Sequence, residues 1–206
     1  MAEQHAIATV EGLRTIIGEA SPAVAVKVGN TIDEFARDFI ARSPFLVLST
    51  SDRAGRQDVS PKGDGAGFVA VESDTTLLIP DRKGNKLIYG LQNIIENPHV
   101  GVLFLVPGTN ETLRINGTAA LTSDPNVCQL LSARGQPAQL AIRVTVDECF
   151  FHCAKAFLRA QLWKPEAWPQ RLHISFGKML APKFGGDAQV AEAIDTMIAD
   201  DYRTNL

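Results

Sequence analysis

A mainly β fold of the α+β class, an antiparallel barrel flanked by helices, is the architecture this sequence predicts. Three observations point to it. A succession of short apolar or alternating runs fills residues 45–152. Their joins are of hairpin length and carry turn chemistry. Only two helical patterns interrupt them, too few for the strand–helix alternation of a doubly wound sheet. Closing the strands into a barrel would also remove unpaired edges.

The chain opens with two helical patterns. Residues 9–19 hold Val10, Leu13, Ile16 and Ile17 at helical spacing. Residues 31–42 place Ile32, Phe35, Phe39 and Ile40 on one face, and Thr31 followed by Glu34 fits a capping box. After Pro44 the period changes. Phe45 to Ser51 is apolar and β-prone, Asp52 to Arg56 supplies a turn in which Gly55 takes a positive φ, and Gln57 to Ser60 returns antiparallel. Residues 67–72 and 75–80 make a second pair, and 100–106 and 111–121 a third. Residues 141–152 form a long strand alternating through Ile142, Val144 and Val146. The two interrupting helices are 86–97, stopped at Pro98, and 124–134, opened by Asp124-Pro125. Residues 187–202 form a last amphipathic helix with Val190, Ala193, Ile194, Met197 and Ile198 inward. The expected organisation is one domain over 1–206: helices in 1–43, the barrel in 44–152, a helical extension in 153–206.

A net charge of −3 leaves no global positive field for nucleic acid or an anionic membrane, so any anion site has to be local. No apolar run reaches the ~18–20 residues of a membrane span. The first residues, MAEQHAIATVEGL, lack the basic-then-apolar order of a signal peptide, which makes a cytoplasmic location the expectation. Three cysteines do not suggest a disulfide framework.

The local anion site suggests itself at Pro80 to Lys86. Arg82, Lys83 and Lys86 fall within five residues, between an apolar strand and a helix. An arginine fork and lysine point charges grip phosphate oxygens, Gly84 permits close backbone approach, and the helix offers free amides at its start. Asn85 can cap that helix or bond a phosphate oxygen. A solvated basic turn is the plainer alternative. Neither the Gly-rich ATP loop nor the dinucleotide fingerprint is present. Gln57 to Asp64 is a second candidate, with Ser60 and Lys62 beside three glycines, or else a plain hairpin loop.

Four segments in succession resemble the FMN-binding pyridoxamine 5'-phosphate oxidase superfamily: SPKGD (60–64), IPDRKGNK (79–86), ENPHVGVLFL (96–105) and ETLRINGTA (111–119). Residues 150–168, FFHCAKAFLRAQLWKPEAW, resemble a subgroup of FMN-dependent proteins within it. The resemblance implies a split barrel and a homodimer with FMN at the subunit interface. It implies that Gln57, Val59, Ser60 and Lys62 lie along the flavin and ribityl chain. Arg82 and Lys83 would hold the phosphate, with Asn85, Lys86 and Asn93 sharing that task. Two departures stand out: Gln57 replaces an arginine, and Thr112 replaces a glutamine. The tripeptide Arg171-Leu172-His173 matches the true oxidase's substrate motif, but Ser175 stands where an arginine is expected, so vitamin B6 oxidation is not the leading assignment.

Other residues keep two readings. Cys149, His152 and Cys153 have too few companions for zinc. His152, Cys153, Lys155 and Arg159 can cover a partner's flavin or bind an anionic substrate, or simply form a charged join. Trp163 and Trp168 can stack on a flavin ring or anchor an interface. The expected activity is FMN-dependent oxidoreduction of an unidentified small molecule. The alternatives are a flavin-binding protein for storage or sensing, and an enzyme using deazaflavin or haem.

Overall fold

The computed structural model describes residues 5–205. Met1–Gln4, the head of the stretch read for targeting signals, and Leu206 lie outside them. Among the described residues the strands are β1 (Phe45–Ser51), β2 (Gln57–Gly63), β3 (Ala70–Ser73), β4 (Thr76–Asp81), β5 (His99–Leu105), β6 (Thr112–Thr122) and β7 (Leu140–His152). They form one antiparallel sheet in the order β2-β1-β5-β6-β7-β4-β3.

The β1–β2 hairpin sets Phe45 opposite Gly63 and Ser51 opposite Gln57. Its turn closes as expected around Gly55, whose φ is 79°. The Asp52 carboxylate holds that turn by accepting from the Ala54 and Arg56 amides, each at 2.9 Å. The longest ladder, β6 with β7, runs from Thr112 opposite His152 to Thr122 opposite Ala141. Its register shifts at Asn116–Gly117, where a Cβ on Gly117 would collide with the Thr145 carbonyl.

No ladder joins β2 to β3, so the barrel is split there rather than closed. Side chains bridge the split instead. Lys62 Nζ on β2 donates to Asp81 Oδ1 on β4 at 2.6 Å, and Arg82 Nε donates to Asp64 Oδ2 at 3.0 Å. The fold is a split antiparallel β-barrel with flanking helices. Its core holds Phe104, Leu46, Leu48, Leu77, Ile79, Leu113, Ile115 and Ile142, all essentially without solvent contact. Alternation along β1 and β5 sends every second side chain inward.

Helix α1 (Val10–Ile17) is capped by the Thr9 hydroxyl, and a short α2 spans Pro22–Ala25. Helix α3 (Glu34–Arg42) lies on the barrel through Ala36 and Ile40. It starts later than its pattern suggested: Asp33, not Thr31, is the N-cap, and its carboxylate accepts from the Ala36 amide at 2.8 Å. A carboxylate one residue before the helix satisfies the first-turn amides and favours the dipole, which displaces the expected capping box. Phe35, expected inward, is 67% exposed.

Helix α4 (Tyr89–Glu96) begins three residues after the expected Lys86. Lys86 has φ 62°, a left-handed conformation that no α-helix contains, so the helix starts only beyond it. Helix α5 (Pro125–Leu130) begins after the Asp124 cap. Beyond the barrel come α6 (Lys155–Ala160), a 3-10 turn at Pro165–Ala167, α7 (Phe176–Leu180) and α8 (Ala188–Thr204). Of the side chains expected inward on α8, Ile194 and Ile198 are half-buried, while Val190, Ala193 and Met197 are exposed. Helix α8 lies against α7: a Cβ on Gly177 would strike the Ala191 carbonyl, and Asp195 accepts from the Ser175 hydroxyl and the Gly177 amide. Among the described residues no helix is long and apolar enough to cross a membrane.

Candidate functional site

The split opens a cleft of about 1030 Å³ between β2, the end of β4, the loop that follows it and the start of α4. Strand β2 brings Asp58, Ser60 and Lys62 to it as half-buried side chains. Period-2 alternation puts these three on one side of the strand and leaves Gln57, Val59 and Pro61 exposed on the other, with Val59 and Pro61 still among the cleft-lining residues. The loop after β4 contributes Arg82, Lys83, Gly84, Asn85 and Lys86. Helix α4 comes close enough that a Cβ on Gly90 would sit 2.9 Å from Asp58 Oδ2. A larger residue there would have to push the Asp58 carboxylate aside.

Four cations line this cleft: Lys62, Arg82, Lys83 and Lys86. Two of them are already engaged, Lys62 by Asp81 and Arg82 through its Nε by Asp64. Among the described residues, the terminal nitrogens of Arg82 and the ammonium groups of Lys83 and Lys86 carry no hydrogen bond or ion pair. The cleft therefore offers an arginine fork and two point charges to an anion. The lining also holds apolar side chains: Val59, Leu87, Ile88 and Tyr89 are all more than half exposed.

The structure brings Val59, Ser60, Lys62, Arg82, Lys83, Asn85 and Lys86 to one cleft. Asn85 does not cap α4, whose N-cap is Ile88; its Oδ1 accepts from the Leu87 amide at 3.0 Å and shapes the loop. Gln57 lies at the outer end of β2, outside the cleft lining. Asn93 sits on α4 behind the cleft and donates to the Thr50 hydroxyl at 3.1 Å, tying the helix to β1. Thr112 is buried at the start of β6, opposite His152. Arg159 is exposed in the last turn of α6. Trp163 donates its indole N–H to the Thr109 carbonyl at 2.8 Å and lies beside Phe157. Within one chain none of these five reaches the cleft. Cys149 is buried; desolvation first, then the charge of Asp33, pushes its thiol up to about 11, so it stays protonated at neutral pH.

Sequence reasoning overlooked Asp58, Asp81, Gly90, Tyr89, Gln139, Leu140 and Asp201, all on the cleft wall. For Asp58 a signal existed: it alternates with Ser60 and Lys62 along β2. Asp201 comes from α8, more than a hundred residues along the chain from Arg82, and no local pattern connects them.

The family model for pyridoxamine 5'-phosphate oxidase matches residues 32–153. No curated protein matches the chain. Similar solved structures include HupZ from Group A Streptococcus, at 17% identity over 58% of this chain and 93% of that one, with a TM-score of 0.48. General Stress Protein 26 from Bacillus anthracis is also 17% identical, over 55% and 88%, with a TM-score of 0.42. An FMN-binding protein from Syntrophomonas wolfei is 14% identical, over 57% and 84%, with a TM-score of 0.45. The matched stretch takes in every strand of the sheet and the loop bearing the free cations. With more than half of its length accounted for in this way, the chain belongs to the pyridoxamine 5'-phosphate oxidase family.

Proposed function

We propose that this protein is an FMN-dependent oxidoreductase, working as a cytoplasmic homodimer on a small molecule. The observation that carries this reading is the cleft at the barrel split, lined by both cations and exposed apolar side chains. Its volume of about 1030 Å³ is at the upper end of the ~300–1,000 Å³ usual for small-molecule sites. The residues present fit FMN. The free face of Arg82 and the ammonium groups of Lys83 and Lys86 match a phosphate dianion. Val59, Leu87, Ile88 and Tyr89 offer apolar surface to a flat ring. Strand β2 is an edge, so its outer amides and carbonyls are available to polar ring atoms.

When bound, FMN supplies hydride or electron transfer. The chain's own task is to place it. Arg82, Lys83 and Lys86 would anchor the tail, Ser60 and Lys62 would add polar contacts, and the apolar side chains would lie against the ring. Those side chains stand open to solvent in one protomer, and a second copy seated over them would account for their exposure.

Protein expressed and purified without added cofactor should be yellow and release FMN on denaturation. Replacing Arg82 and Lys83 together by Ala should weaken FMN binding at least ~10-fold, since each charge-assisted hydrogen bond is worth about 1.5–3 kcal/mol. Reduction of the bound flavin by a nicotinamide nucleotide, followed by reoxidation, separates an enzyme from a storage protein. Colourless protein that takes up no FMN overturns the flavin reading.

A further inference from the structure

Asp64 sits just past β2, with its side chain only 5% exposed, next to the cations that are meant to attract an anion. A buried carboxylate there repels a phosphate, so its presence needs a physical reason. Its contacts supply one. Asp64 Oδ2 accepts from Arg82 Nε at 3.0 Å, while Oδ1 accepts from Arg134 Nη1 at 2.8 Å and from the Gly65 amide at 2.9 Å. Burial raises its pKa, but the Gly65 amide and the charges of Arg134 and Arg82 outweigh that and leave it below the ordinary carboxylate value.

Two arginines share one carboxylate. Arg82 is gripped by its Nε alone, which leaves both terminal nitrogens for a second acceptor. An unrestrained arginine loses rotamer freedom on binding, and a guanidinium fixed on one edge has lost much of it in advance.

We propose that Asp64 is a positioning residue for anion binding, holding Arg82 by its Nε edge so that the terminal nitrogens meet the anion, with Arg134 offsetting the carboxylate's charge. This rests on the flavin reading only in naming the anion as the FMN phosphate. Two accounts of Asp64 predict opposite signs. If it acts only as a negative charge, Asp64→Asn tightens anion binding. If it positions Arg82, Asp64→Asn weakens binding despite removing a repulsive charge.

The test is equilibrium titration of wild type, Asp64→Asn and Arg82→Lys with FMN and, separately, with inorganic phosphate. Asp64→Asn should raise the FMN dissociation constant by about tenfold, the value of one charge-assisted contact. In an Arg82→Ala background the same substitution should not weaken binding further. Arg82→Lys keeps the charge but cannot bridge carboxylate and phosphate at once, so it should bind nearly as poorly as Arg82→Ala. It also reads the proposal independently of whether the residue 64 variant folds. Tighter binding by Asp64→Asn, or full retention by Arg82→Lys, overturns the proposal. If wild type takes up phosphate but not FMN, the flavin reading fails, and the same variants titrated with phosphate decide the role of Asp64. If wild type binds neither, both fall.

Discussion

Helices α1 and α3 carry similar apolar stripes, and only one of them is buried. Ala36 and Ile40 of α3 meet the barrel and are 1% exposed. Val10, Leu13, Ile16 and Ile17 of α1 all remain exposed. The C-terminal helices repeat the lesson: α8 lies against α7 and buries no residue fully. Periodicity reports that a helix has an apolar face. Whether that face leaves water depends on a partner element, which the helix's own residues do not specify.

Stability measurements test whether the two helices differ in this way. The largest effect should come from Phe104→Ala, which removes a ring with no solvent exposure from the barrel core and should cost about 3–5 kcal/mol in urea unfolding. Ile16→Ala on α1 should change the stability of dilute protein by no more than ~0.5 kcal/mol. Equal losses would mean that α1 is part of the same cooperative core.

A pair of glycine substitutions should give effects of intermediate size. Gly117→Ala drives a methyl into the Thr145 carbonyl at the β6–β7 bulge and should lower global stability by roughly 1–3 kcal/mol, the usual cost of overpacking. Gly177→Ala meets the Ala191 carbonyl with the same crowding, yet should only loosen α7 from α8. Hydrogen exchange resolves the two: the sheet amides should lose protection in the first variant and keep it in the second.

The smallest effect is a pH response confined to the helical pair. The Ser175 hydroxyl, then the Gly177 amide, hold the Asp195 carboxyl below its usual range. A depressed folded pKa contributes stability that is present above the unfolded value of about 3.9 and lost as pH falls through the folded value. The Gly177 amide resonance should therefore move on acidification below about pH 4, ahead of the sheet resonances. Asp195→Asn should abolish that shift. A response unchanged in Asp195→Asn would assign it elsewhere.

Most strands were legible because alternation is local. Phe45–Ser51 and the long run through Ile142, Val144 and Val146 announced themselves, and Gly55 marked its turn. The helix starts were less so. Thr31 competed with Asp33 for one cap, and the left-handed Lys86 delayed α4, a conformational choice made by the loop as a whole. In the candidate site, Arg82, Lys83 and Lys86 were visible as a cluster because they are neighbours in the chain. Their electrostatic state was not: Asp64, which engages Arg82, is 18 residues away, and Arg134 is 70 residues from Asp64.

Residue types at short spacing were enough to specify an antiparallel barrel, the loop that carries its cations, and a family resemblance. Where the barrel splits, which cations stay open to an anion, and which apolar helix faces find cover emerged only on folding. Those outcomes depend on pairings between distant segments, and backbone closure sets such pairings through geometry that no single stretch encodes.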